Sequence, residues 1–158
     1  MSKQHDKITP NDISYILENP WEITDYEWRL GDKDNRNDML SYIKEKLKLT
    51  LEDGYSKLWK TQDDKPIAIL GAFKVEDKKL ETLFVASKHM EEHSLKISFN
   101  MRQILKDQSY NYKGHTLGLY SESEHPKQIT WFRFLGFKYL PEGNRDNTRY
   151  FEYVSRVK

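Results

Sequence analysis

Two histidines four positions apart, His89 and His93, flank Glu92. On a helix they would share a face, and a His-x-x-x-His pair beside a carboxylate is the start of a metal site. No second ligand cluster accompanies it in the sequence, and a closed zinc site takes four ligands, so no metal is expected. The same stretch suits another chemistry. His93 or Ser94, near the start of a helix, could meet a phosphate at the positive helix end. Glu81 alternates with Leu80 and Leu83 in an apolar run. By spacing alone it is a solvent-facing strand residue. Ser121 and Ser123 flank acidic residues, but no His and Asp are arranged to make either a nucleophile. Lys44, Lys46 and Lys48 are interleaved with Glu45 and followed by Glu52, which describes a solvated helix face and no nucleic-acid patch. Glu22, Asp25 and Glu27 form an acidic group in a charge-rich segment, most simply a solvated loop.

Composition narrows the classes. Cysteine is absent, which removes disulfides, thiolate zinc sites and Cys nucleophiles together and fits a reducing compartment. A net charge of +1 gives no overall pull toward nucleic acid or an anionic membrane. Ten Tyr and four Trp are more large rings than a disordered segment carries, so a folded chain is expected. Its 158 residues fit one domain, residues 1–158. No apolar run nears the roughly 20 residues that span a bilayer. The start, Met1-Ser2-Lys3-Gln4-His5-Asp6-Lys7, lacks the apolar centre of a signal peptide. A soluble, cytoplasmic protein is the expectation.

These residues need elements to position them. Thr9-Pro10-Asn11-Asp12 predicts a helix start, with Thr9 as cap, Pro10 at the first position and Asp12 at the positive end. Ile13, Ile16 and Leu17 share its inner face, and Asn19-Pro20 ends it. Trp21 to Asn37 reads as mixed loop. Asn37 or Asp38 would cap a second helix, on the spacing of Met39, Leu40, Ile43 and Leu47, and Asp53-Gly54 turns the chain. The period then changes. Tyr55 to Lys60, Pro66 to Val75 and Leu80 to Ala86 read as three strands joined by polar turns, an antiparallel meander. Glu91 to Lys106 reads as a helix with Leu95, Phe99, Arg102 and Lys106 along one stripe. Ile97, Met101, Ile104 and Leu105 supply its apolar side. His115 to Tyr120 is a strand. Glu124-His125-Pro126 opens a last helix, with Ile129, Phe132 and Leu135 inward and Gly136 as its cap. Phe137 to Leu140 and Arg149 to Val154 complete the sheet. The strand–helix–strand step across Glu91 to Lys106 predicts a parallel pair with a right-handed crossover. The fold class is α/β, a mixed, mostly antiparallel sheet flanked by helices.

The segment His125-Pro126-Lys127-Gln128-Ile129-Thr130-Trp131-Phe132-Arg133-Phe134-Leu135-Gly136-Phe137 resembles the Asn-x-x-Ala-x-x-x-Tyr-x-x-Leu-Gly-Phe segment of the GNAT N-acetyltransferase family. Leu-Gly-Phe has a structural logic: Leu135 packs inward, Gly136 takes a left-handed cap and Phe137 enters the sheet. The element order from Tyr55 to Val154 resembles the GNAT fold too, short of a clear first strand. With Trp131 in place, the segment is also similar to GNAT-like proteins encoded by tailed phages. The resemblance implies acetyl-CoA as cofactor and an amine as acceptor. It implies coenzyme contacts along Leu83, Phe84 and Val85, at His93, Ser94 and Leu95 near the helix start, and at His125. It implies strands splayed around Phe84 and Leu117 to admit the pantetheine arm. It places Glu81 where some members carry a general base, which would take a proton from the amine directly or through water. Glu22, Asp25 and Glu27 would line the acceptor groove.

Several positions depart from the family pattern, His125 among them, where the family has Asn. Counted from Glu81, the family's Gln/Arg-x-x-Gly-x-Gly/Ala loop, whose amides hold a pyrophosphate, falls on Glu92-His93-Ser94-Leu95-Lys96-Ile97. Leu95 and Ile97 then stand where glycines would. Glu91 and Glu92 add negative charge there. Phe132 replaces the family's Tyr and has no proton to donate. Two functions follow as expectations. One is an N-acyltransferase moving an acetyl group from acetyl-CoA to a small-molecule or protein amine. The other is a catalytically inactive binding or structural protein with a protein partner, such as a phage virion or host-interaction component. A V-shaped gap between strands with a free helix start at Glu91 to Ser94 would favour the first. A gap filled by Leu95, Ile97 and Phe132 would favour the second.

Overall fold

Thr9 and Asp12 cap each other at the head of α1 (Pro10–Glu18): Asp12 N donates to Thr9 Oγ1 at 3.2 Å and Thr9 N donates to Asp12 Oδ2 at 2.9 Å. This is the expected helix start. The computed structural model describes residues 6–121 and 125–154. Ser123 and Glu124, named above, lie outside these residues, as do the first five.

The segment expected as loop after Pro20 holds a short helix, α2 (Glu22–Trp28). Seven residues are too few to show a helical period, and Glu22 and Asp25 in its first turn favour the positive end. Arg29 ends it in a left-handed conformation, φ 52°. The next helix, α3 (Lys33–Glu52), begins before the expected Asn37 or Asp38. Asp32 is the cap, accepting from Asp34 N at 2.9 Å and Asn35 N at 3.4 Å.

The meander follows as β1 (Gly54–Lys60), β2 (Pro66–Glu76) and β3 (Lys79–Ala86). Then come α4 (Met90–Asn111), β4 (Thr116–Ser121), α5 (Pro126–Leu135), β5 (Phe137–Tyr139) and β6 (Arg149–Tyr153). The six strands lie in the order β1-β2-β3-β4-β6-β5, with the β3–β4 pair parallel and the others antiparallel. This is the expected mixed sheet.

Helices cover both faces, which is why β2 is buried along most of its length. On one face Ile69, Phe73, Leu83 and Val85 pack with Ile13, Ile16 and Leu17 of α1 and Ile43 and Leu47 of α3. On the other Ala68, Leu70, Leu80 and Ala86 pack with Ile97, Met101 and Leu105 of α4 and Phe132 and Leu135 of α5. Gly136 closes α5 with φ 110°, between buried Leu135 and Phe137, as the Leu-Gly-Phe logic requires.

Candidate functional site

One edge of β3 is shared between two neighbours. Its first half pairs with β4 at Lys79↔Thr116, Leu80↔Leu117 and Glu81↔Gly118, and there the pairing stops. Past that point β4 pairs with β6 alone. The sheet therefore opens in a V beyond Glu81 and Gly118. The opening lies beside Phe84 as expected. Leu117, expected in the opening, is inside the paired half, opposite Leu80.

The open half of the edge is taken by residues around α2. Trp21 N donates to Ala86 O at 3.0 Å and Lys88 N donates to Asn19 O at 2.7 Å. Ala86 N donates to Thr24 Oγ1 at 3.1 Å, and Trp28 Nε1 donates to Phe84 O at 3.3 Å. Pro20 faces Ser87 in an antiparallel bridge. The Trp21 and Lys88 bonds flank that pair, so Pro20 sits where the ladder needs no N–H from it.

The V is filled by side chains. Phe84 lies against Trp131 with ring centroids 4.8 Å apart, and Trp131 meets Trp21 edge-on. These rings, with Trp28 and Phe132, leave a cavity of about 80 Å³. Thr82 and Gln128 line it, and Thr82 Oγ1 and Gln128 Oε1 are buried with no hydrogen-bond partner. Leu83 also lines this space, and Val85 does not. They alternate to the opposite side of β3, where they are buried against α1 and α3.

The step from β3 into α4 is tight. Ser87 N donates to Ile67 O, His89 N to Ser87 Oγ, Met90 N to Ser87 O and Glu91 N to Lys88 O. With Ala86 and Lys88, every amide from Ala86 to Glu91 is used within the chain. Trp21 Nε1 donates to Glu91 Oε2 at 2.9 Å, which places an indole and a carboxylate over the helix start. His93, Ser94 and Leu95 are not in a loop. They belong to α4, which starts at Met90. Leu95 points outward and is 71% exposed, so it does not fill the gap, while Ile97 is buried beneath the helix. The segment counted from Glu81 falls inside α4, past its start at Met90.

Glu81 stands at the apex of the V. Its side chain is only 15% exposed, so it is not the open strand residue its spacing described. Arg145, from the loop before β6, lies 3.8 Å from Glu81 Oε1 and 4.2 Å over the ring of Tyr120. Gly118, beside Glu81, leaves room for Tyr150, whose Cε1 would be 2.6 Å from an added Cβ. The Tyr150 hydroxyl donates to Glu152 Oε2 at 2.9 Å. Burial, then that bond, hold its pKa above the ordinary tyrosine value, and Glu81 adds to the effect. Tyr42 of α3 is raised by burial and then by Glu81. Glu81 is thus bound into a tyrosine and arginine cluster.

His125 caps α5, its Nδ1 accepting from Lys127 N at 3.2 Å, and its ring meets Tyr26 edge-on. Phe132 packs on Phe151 with centroids 5.0 Å apart. His89 pairs with Tyr15, Nε2 to hydroxyl 2.6 Å. His89, Glu92 and His93 line an open groove of about 1000 Å³ between α4 and the β1–β2 turn. Among the described residues no three His, Cys, Asp or Glu side chains gather as a metal-holding group.

Thr24, Arg145 and Gln128 escaped the sequence reading. Thr24 is in the helix too short to show a period. Arg145 is in a polar loop without pattern. Gln128 is one polar residue among several on α5. No local signal distinguishes any of them.

No family model and no curated protein matches the chain. Solved structures do. A GNAT-family acetyltransferase from Staphylococcus aureus matches with a TM-score of 0.68 at 11% identity, over 95% of this chain and 95% of that one. The PaiA N-acetyltransferase of Thermoplasma acidophilum, in complex with coenzyme A, matches at 0.60 and 12% identity, over 94% and 96%. A phosphinothricin acetyltransferase from Sinorhizobium meliloti, in complex with AcCoA, matches at 0.59 and 12% identity, over 97% and 90%. With identity this low the likeness is one of architecture, and on it the chain has the fold of the GNAT acetyltransferases.

Proposed function

We propose that this chain is a GNAT-fold binding or structural protein that works without acetyl-CoA. The observation that carries it is the use of every amide from Ala86 to Glu91 within the chain. A pyrophosphate is held by free amides at a helix start, and here none of those six is left to offer. The acidic Glu91, bonded to Trp21, adds charge of the wrong sign. The residues present do not fit the coenzyme in this arrangement. The remaining 80 Å³ is also small beside the roughly 300–1,000 Å³ of ordinary ligand pockets. Leu95 and Phe99, 71% and 54% exposed on α4, are the kind of apolar surface that meets a protein partner. The similarity of the Trp131 segment to phage-encoded proteins gives such a partner a setting in a virion or a host cell.

An N-acyltransferase acting on an amine is the second reading. The V between β3 and β4 favours it, together with Glu81 at its apex and the bound coenzyme in two of the matching structures. In it Glu81 would serve as base once Arg145 moved away. An assay of thiol release from acetyl-CoA over a panel of small amines and polyamines separates the two. No release above the protein-free rate is expected. Turnover that disappears in Glu81→Gln would overturn the proposal and establish the acyltransferase.

A further inference from the structure

Leu95 and Phe99 stand on the solvent side of α4, 71% and 54% exposed. We infer that this side pairs with the same helix of a second copy of the chain, antiparallel, to make a two-fold dimer. The inference deepens the reading of α4 as a surface for a protein partner, and it rests on that reading.

The core uses only one side of α4. That side carries Ile97, Met101, Ile104 and Leu105, all buried. The outer side carries a second line, Glu92, Leu95, Phe99 and Arg102, and each of the four is exposed. Its steps alternate three and four residues, the spacing by which one helix presents a seam to another. Phe134 of α5 widens the seam. It meets Phe99 edge-on with centroids 5.2 Å apart, and the Arg102 guanidinium lies 5.0 Å over its ring. Lys96 and Gln103, exposed beside Leu95 and Arg102, are polar and border the apolar centre.

The order of charges on the outer line selects the partner. Leu95 and Phe99 lie two residues to either side of Ile97, and Glu92 and Arg102 lie five. At a rise of about 1.5 Å per residue, the acid and the base are each about 7.5 Å along the axis from that midpoint. The line is acidic toward the start of the helix, apolar in the middle and basic toward its end. A second copy turned about a two-fold axis at the midpoint brings each Leu95 against Phe99 of the other copy. It brings each Glu92 against Arg102 of the other copy. One surface thus complements itself, as an isologous dimer requires. A parallel pair would set Glu92 against Glu92 and Arg102 against Arg102, and the like charges reject it.

The two charges are available for this role. Among the described residues no ion pair holds Glu92 or Arg102. The other acids nearby are engaged: Glu91 accepts from Trp21 Nε1, and Asp107 accepts from Gln103 Nε2 at 2.9 Å. An exposed ion pair contributes little alone. Here two such pairs would fix direction and register, while Leu95, Phe99 and Phe134 supply the apolar burial.

Sedimentation velocity of the whole chain tests the pairing. At micromolar concentration the mass should be that of two chains. Phe99→Glu, at an exposed position, should leave the far-UV spectrum unchanged and give the mass of one chain. If that variant does not fold, Leu95→Glu takes its place. Glu92→Arg or Arg102→Glu, each alone, should raise the dissociation constant about tenfold or more, since two attractions become two repulsions. An equimolar mixture of these two variants should dimerise as tightly as the wild-type chain, because every acid again meets a base across the seam. A single-chain mass in the wild type up to millimolar concentration would overturn the pairing. A dimer that survives Phe99→Glu would overturn the seam on α4. A mixture no tighter than its components would overturn the antiparallel register. Acetyl-CoA binding by a dimeric chain would sink the coenzyme-free function and leave the pairing standing. A monomer that binds no acetyl-CoA would sink the pairing and leave that function.

Discussion

Phe132→Ala should lower the free energy of unfolding by about 3–5 kcal/mol, the range for truncating a buried aromatic residue. Phe132 is 3% exposed and lies at the crossing of α5, β5 and β6. Its ring meets Phe151 at 5.0 Å, Trp131 at 6.0 Å and Phe137 at 6.5 Å. Those contacts are edge-on or tilted, as aromatic rings prefer. Removing the ring leaves a void that the sheet cannot close, because Gly136 and Phe137 fix the strand entry. Urea unfolding should show the loss as a lower midpoint with an unchanged slope. A loss below about 1 kcal/mol would mean that the ring is not part of the core.

Gly54→Ala should be as damaging, by about 3 kcal/mol. A Cβ at Gly54 would stand 1.9 Å from the carbonyl oxygen of Ala72, on the neighbouring strand. Backbone cannot move aside as the end of a side chain can. Gly54 also pairs with Phe73 at the start of the sheet, and Lys74 N donates to Asp53 O beside it. Separating β1 from β2 would therefore disturb the corner where α3 hands over to the sheet. Gly114→Ala is the comparison. Its φ is +85°, but nothing lies within 4 Å of the added carbon, so only the strain of about 1 kcal/mol remains. Thermal unfolding of the two variants should differ by several degrees. Equal melting temperatures would contradict the close approach at Gly54.

Most of the fold was legible because it is written in local patterns. Thr9, Pro10 and Asp12 announce α1, and the run from Pro66 announces a strand buried on both faces. Leu135, Gly136 and Phe137 mark the turn into the last strands. The start of α3 carries no apolar spacing, because Asp32 lies before that spacing begins, and α2 carries no local pattern, because it is held by its partners on β3. The site was legible only in outline. The V could be expected from the resemblance, and the lack of glycines was plain in the sequence. What fills the V was not. Thr24 and Trp28 are some sixty residues from the Ala86 and Phe84 groups they bind, and no local period records such a contact. Arg145 reaches Glu81 from an equally distant loop. The count from Glu81 puts a phosphate-holding loop on His93, Ser94 and Leu95, which lie inside α4, because the connection from Ser87 to His89 is short.

Calorimetric titration of the whole chain with acetyl-CoA tests most directly whether the protein works without the coenzyme. With the amides from Ala86 to Glu91 and the edge at Phe84 and Ala86 in use, no saturable heat is expected up to millimolar ligand. Saturable binding in the micromolar range would contradict this and mean that the cleft opens to the coenzyme.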